Sequence, residues 1–176
     1  GNTALGKSSG NGITSGEYNV AIGMNTLYNG NPTSNTAVGH SALGWSSGTK
    51  NTAVGHSAAE AIKTGTDNTV VGHAALAALT TALGNTAVGK QALNSSNANY
   101  NTAVGFEAAK PVTGHSNTAL GGYALHDGTS GDGNTSLGHT SMAFRTTGSY
   151  NVAVGHEAGR GASDSNPATG DGNTCV

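Results

Sequence analysis

Five of the seven histidines share one repeat position: His40, His56, His73, His139 and His156. Imidazole is the commonest protein ligand for transition metals, so three histidines on consecutive repeats (His40, His56, His73) form a column that can be read as a metal site. The same position holds Lys7, Met24, Lys90, Phe106 and Gly122 in other repeats, which is the pattern of a solvent-facing turn. Asp127 and Asp132 bracket a Gly-rich turn, and Asp164 and Asp171 lie in the longer segment from Arg160 to Gly172. Carboxylates in such loops suit calcium, and they equally suit turns without it. Trp45 and Phe144 fall ten residues after their repeat Asn, and Tyr18, Tyr100 and Tyr150 each precede one. Such aromatics can contact a surface ligand such as a sugar, or pack on a neighbouring repeat. Glu107 and Glu157 share a position three repeats apart, roughly 14 Å by strand spacing, which is wider than the carboxylate pairs of glycosidases. No nucleophile elbow, phosphate loop or paired metal motif is present. The sequence therefore predicts no enzyme and requires no cofactor, with metal or calcium as the only alternatives.

What must position these residues is a repeat. Asn-Thr-Ala-Val-Gly, or a close variant, starts at Asn2, Asn19, Asn35, Asn51, Asn68, Asn85, Asn101, Asn117, Asn134 and Asn151, with an eleventh copy beginning at Asn173. The first nine intervals are 16 or 17 residues and the last is 22. That period is too short for helical-pair repeats or propeller blades. It predicts an all-β protein, a parallel β-solenoid, over a single repeat domain spanning residues 1–176: ten complete coils plus a truncated eleventh. The chain opens and closes within a repeat, which predicts a fragment of a longer chain.

Within one coil, alternation places the Thr36 and Val38 positions on one face and the Asn35 and Ala37 positions on the other. The Val position holds only Val, Leu or Ile in every copy (Leu5, Ile22, Val38, Val54, Val71, Val88, Val104, Leu120, Leu137, Val154, Val176). We expect that column to be buried. The Ala position, Ala in eight copies, predicts close approach of another backbone or sheet. The Gly that ends each pentapeptide (Gly6, Gly23, Gly39, Gly55, Gly72, Gly89, Gly105, Gly121, Gly138, Gly155) predicts a sharp turn at positive φ. A second short strand is expected after it, ending on residues such as Leu43 that pack against the Val column. The stacked Asn predict a structural ladder of side-chain hydrogen bonds. Residues 74–83 are apolar enough for a helix, but the unbroken period favours another coil.

Leu, Ile, Val and Phe total 26 of 176 residues, the net charge is −2, and there is one cysteine. So thin a core, without disulfides, predicts self-association. The scattered seven Lys and Arg argue against nucleic acid. No apolar run approaches the roughly 20 residues of a membrane span.

The pattern Asn, Thr, small, branched aliphatic, Gly resembles the head repeat of YadA-like trimeric autotransporter adhesins, and is similar to shaft repeats of phage and giant-virus tail fibres. Ala37, Val38 and Gly39 match the family's Ala, Ile and Gly, while Thr36 replaces its Val and the coils are longer. The resemblance implies a left-handed β-roll, three copies of which pack about a threefold axis, with the Ala column offering a flat contact. The function it implies is a structural and adhesive rod: the shaft or head of an extracellular surface fibre, on a virion or bacterium, displaying loops to a glycan or receptor. Two alternatives stand beside it. One is a subunit of a self-assembling extracellular filament. The other is an ice-binding solenoid, because the unbroken Thr column from Thr36 to Thr135 forms an array; a buried Val column would count against it.

Overall fold

In a computed structural model the chain forms a β-solenoid built on one sheet; residues 1–78, 80–94, 98–127, 130–144, 147–161 and 170–176 are described. Eleven strands, β1 (Thr3–Leu5), β2 (Val20–Ile22), β3 (Thr36–Val38), β4 (Thr52–Val54), β5 (Thr69–Val71), β6 (Thr86–Val88), β7 (Thr102–Val104), β8 (Thr118–Leu120), β9 (Thr135–Leu137), β10 (Val152–Val154) and β11 (Thr174–Cys175), pair in chain order. Every pairing is parallel and in register: Thr36, Ala37 and Val38 meet Thr52, Ala53 and Val54. The 22-residue interval keeps that register, since Val152 and Ala153 meet Thr174 and Cys175. The eight residues 162–169 within it lie outside the described part, Asp164 among them. No helix occurs among the described residues. Over 74–83 the repeat prevails, with Leu83 bridged to Thr66 in the coil before and Ala82 buried.

The two faces of the strand are the reverse of the sequence expectation. Ala21, Ala37, Ala53, Val70, Ala87, Ala103, Ala119, Ser136 and Ala153 are wholly buried, whereas Val54, Val71 and Leu120 are 37%, 38% and 45% exposed. The cause is the narrowness of the coil. The column four residues after the Gly, where Leu27, Leu43, Leu76 and Leu93 are fully buried, faces the Ala column directly. At Gly159, which occupies that place, an added Cβ would lie 3.2 Å from the Ala153 Cβ. Alanine, the usual strand residue there, fills the narrow space left by the leucines, and Val70, wholly buried in the coil of Leu76, is the largest side chain the strand places inside. The Ala column is therefore interior surface of its own coil, not a contact between chains, and Leu43 packs on Ala37 rather than on Val38.

The expected second strand is also absent. Its place is taken by a turn in which the residues two and four after the Gly are left-handed: Ser41 (φ 56°) and Leu43 (φ 48°), and likewise Gln91 (φ 59°) and Leu93 (φ 49°). The alternation turns successive N–H groups toward opposite neighbours. Ser41 N–H donates to Met24 O in the coil before at 2.9 Å, and Leu43 N–H to Ala58 O in the coil after at 3.0 Å. The backbone is satisfied between coils without a ladder of β geometry. A left-handed L-residue costs about 1–2 kcal/mol, and the intercoil bonds and Leu burial offset it.

Core volume is balanced within several coils. Leu27 and Leu43 are followed three residues on by Gly30 and Ser46, whereas Ala59 and Ala109 are followed by the fully buried Ile62 and by Val112 at 1% exposure. In these four coils one large group is supplied from either of two places. Polar exceptions are paired too: where Ser136 replaces the strand Ala, Ser141 replaces the facing Ala, and their hydroxyls meet at 2.6 Å.

Candidate functional site

The turn glycines all lie at φ between 126° and 142°. A Cβ at Gly55 would stand 2.6 Å from Gly72 O in the next coil, so the position excludes any side chain by φ and by space together. These glycines let the coils approach to strand spacing at the corner where the histidine column begins.

The Asn column is buried from Asn19 to Asn151. Each Asn main-chain N–H donates to Oδ1 of the Asn one coil earlier, at 2.8–3.0 Å through all ten steps from Asn2 to Asn173. Each Nδ2 from Asn2 to Asn134 donates to a carbonyl of the loop of the next coil's approach, as from Asn51 to Gly65 O at 2.8 Å and from Asn101 to Gly114 O at 3.0 Å. From Asn2 to Asn151 both the oxygen and the nitrogen of the amide are engaged internally, which makes the column a scaffold.

The histidines do form a column. The rings of His40 and His56 stack with centroids 4.9 Å apart and planes 10° apart, His56 and His73 at 5.1 Å and 13°, and His139 and His156 at 5.5 Å and 7°. Ring nitrogens lie in the ring plane, so parallel stacked rings do not converge on one ion. Among the described residues no three His, Cys, Asp or Glu side chains gather to hold a metal. The arrangement does not fit a metal centre within one chain.

The aspartates are engaged as well. Asp132 Oδ1 accepts the His115 N–H at 2.7 Å, and Asp127 Oδ2 lies 2.9 Å from His126 Nδ1. His126 Nε2 is 3.4 Å from Glu107, which is 3.6 Å from Lys110, and Lys110 donates to Gln91 at 3.1 Å. The network spans neighbouring coils and is only partly shielded from water, so each pair contributes at most about 1 kcal/mol. Gly128 and Thr129, between the two aspartates, lie outside the described residues.

Trp45 is 55% exposed, and Phe144 is packed beneath the Arg160 guanidinium, 5.3 Å from its ring centre. Phe106, in the histidine column, meets Tyr123 edge-on at 5.2 Å, and Tyr123 fills the gap that Gly122 leaves in that column. Neither Phe106 nor Tyr123 stood out in the sequence. The signal was a glycine interrupting an otherwise large column with a tyrosine beside it.

A further surface feature is the outward face of the sheet. Its two columns are Thr, or Val at 20 and 152, beside Val, Leu or Ile, without one charged residue in any of the eleven strands. At about 4.8 Å per strand it extends on the order of 50 Å, an uncharged strip of several hundred Å². No family model, curated protein or solved structure matches this chain. No helix among the described residues is long and apolar enough to cross a membrane.

Proposed function

We propose that the protein is a structural and adhesive rod, the shaft or head of a trimeric extracellular fibre, whose copies pack through the outward Thr/Val face. The observation that carries this reading is that face itself: ten consecutive strand aliphatics from Leu5 to Val154, flanked by Thr or Val, none of them buried by their own chain. Exposed apolar strips of this size mark interaction surfaces. A parallel ladder offers each copy the same side chains in the same register, so a symmetric seam repeats along the whole length. The left-handed roll and threefold packing of YadA-like heads supply the model for that seam, with the Val column in the place first expected of the Ala column. Stiffness comes from the Asn ladder and the intercoil backbone bonds; attachment to a glycan or receptor falls to the exposed loops.

Light scattering on the intact chain tests this. A trimer is expected, and Val54→Lys with Val88→Lys should release monomers whose far-ultraviolet circular dichroism is unchanged. A polydisperse wild-type polymer insensitive to these substitutions supports the filament built end to end. A wild-type monomer removes the trimeric fibre. One observation favours ice binding as the second reading in that case: the Val column stands outward beside the Thr column, so a monomer presents a flat, two-column uncharged array. Thermal hysteresis of the monomer, lost in Thr69→Lys, would establish it.

A further inference from the structure

The three tyrosines that precede a repeat Asn are among the most exposed large side chains: Tyr18 at 67%, Tyr100 at 59% and Tyr150 at 71%. All three are left-handed, at φ 58–59°. A bulky aromatic at positive φ is costly, and this column accepts Gly without cost at Gly84 and Gly133. Each ring leans on a glycine of the preceding coil: a Cβ added to Gly84 would lie 2.9 Å from Tyr100 Cδ1, and one added to Gly133 2.8 Å from Tyr150 Cδ1. The tyrosines are thus seated and held, with most of each ring open to solvent. Tyr100 and Tyr150 precede β7 and β10, three strands and roughly 14 Å apart. Between them the column holds only Ser116 and Gly133, so nothing tall separates the two rings.

Beside this column runs a chain of polar side chains locked by backbone bonds. Leu83 N–H donates to Asn99 Oδ1 at 2.9 Å, Asn99 N–H to His115 Nδ1 at 3.1 Å, His115 N–H to Asp132 Oδ1 at 2.7 Å, and Asp132 N–H to Ser149 Oγ at 3.1 Å. Because His115 Nδ1 accepts, its Nε2 carries the proton and is a donor. The exposed strip therefore mixes fixed donors (Asn99 amide, His115 Nε2) with acceptors (the Asp132 carboxylate). A ligand with apolar faces for the rings and groups that both donate and accept hydrogen bonds matches that mixture. A lone carboxylate disfavours an anion.

We propose that the strip from Tyr100 to Tyr150, edged by Asn99, His115 and Asp132, binds a neutral oligosaccharide laid along the rod. This rests on the adhesive reading and names its ligand class. The pre-set rings and capped polar groups cost little ordering on binding. The test is saturation-transfer nuclear magnetic resonance and calorimetry on the intact chain. The probes are neutral hexasaccharides of glucose, galactose, mannose and N-acetylglucosamine, with heparin and polysialic acid as anionic probes. At least one neutral hexasaccharide should bind. Tyr100→Gly and Tyr150→Gly, which restore the residue this column already accepts, should each weaken it about tenfold without lowering the melting temperature. Tyr100→Phe should keep the affinity, and Trp45→Ala should not affect it. No binding to any neutral probe, binding by anionic probes alone, or binding unchanged in the double Tyr→Gly variant would each overturn the proposal. Light scattering on the same samples reads the oligomer separately, so loss of glycan binding and loss of the trimer are told apart.

Discussion

Replacing Asn68 tests whether the amide column is a ladder or a set of turn-forming residues. Asn68 is 1% exposed. Its Oδ1 accepts the Asn85 N–H at 2.9 Å, and its Nδ2 donates to Asn51 Oδ1 at 2.9 Å, Thr66 O at 3.0 Å and Ala82 O at 2.9 Å. Asn68→Ala strands the buried Asn85 N–H, which costs about 1–3 kcal/mol. The two carbonyls lose less, because Thr66 O still accepts from Gly84 and Ala82 O from Thr66. The total is about 3 kcal/mol. Asn68→Asp keeps the acceptor for Asn85 but turns a buried carboxylate oxygen on the Thr66 and Ala82 carbonyls, so it should cost more than Ala at neutral pH. Urea unfolding gives the ranking, and hydrogen exchange should show the Asn85 amide losing protection in Asn68→Ala. If Asp is milder than Ala, as at an ordinary turn, or if Ala costs under about 0.5 kcal/mol, the ladder argument is wrong.

The balanced core predicts strong coupling between positions three apart. Leu43→Ala should cost about 2–5 kcal/mol, and in the next coil Ala59→Leu and Ile62→Ser should each destabilise alone, yet the double variant should recover at least about 2 kcal/mol of their sum, measured by urea unfolding. Gly55→Ala meets both a φ of 138° and the Gly72 carbonyl, so it should lose about 3 kcal/mol or more in the same assay. Lys50, exposed at φ 56°, is the opposite case: Lys50→Gly should raise stability by up to about 1 kcal/mol, seen as a higher melting temperature.

The period of the sequence was enough to determine that coils stack with like on like. A shift of one residue would carry Asn35 away from Asn19 and Asn51 and leave each buried amide without its partner, so register follows from the repeat alone. The glycine column was legible for the same reason: only one residue type tolerates that φ and that proximity. Alternation also separated Ala37 from Val38 correctly, but it is symmetric between inside and outside. Which face turns inward is decided when the coil closes, because the leucines across from the strand leave a narrow space that alanine fills in most coils and Val70 in one. The left-handed turn was hidden because Ser41, Leu43 and Tyr100 carry no local signature of positive φ; intercoil hydrogen bonds impose it. The same closure put the aliphatic column on the outside and seated each tyrosine on a glycine one coil away. These contacts cross one closed coil or join residues about one period apart, and they exist only once the coils have closed and stacked.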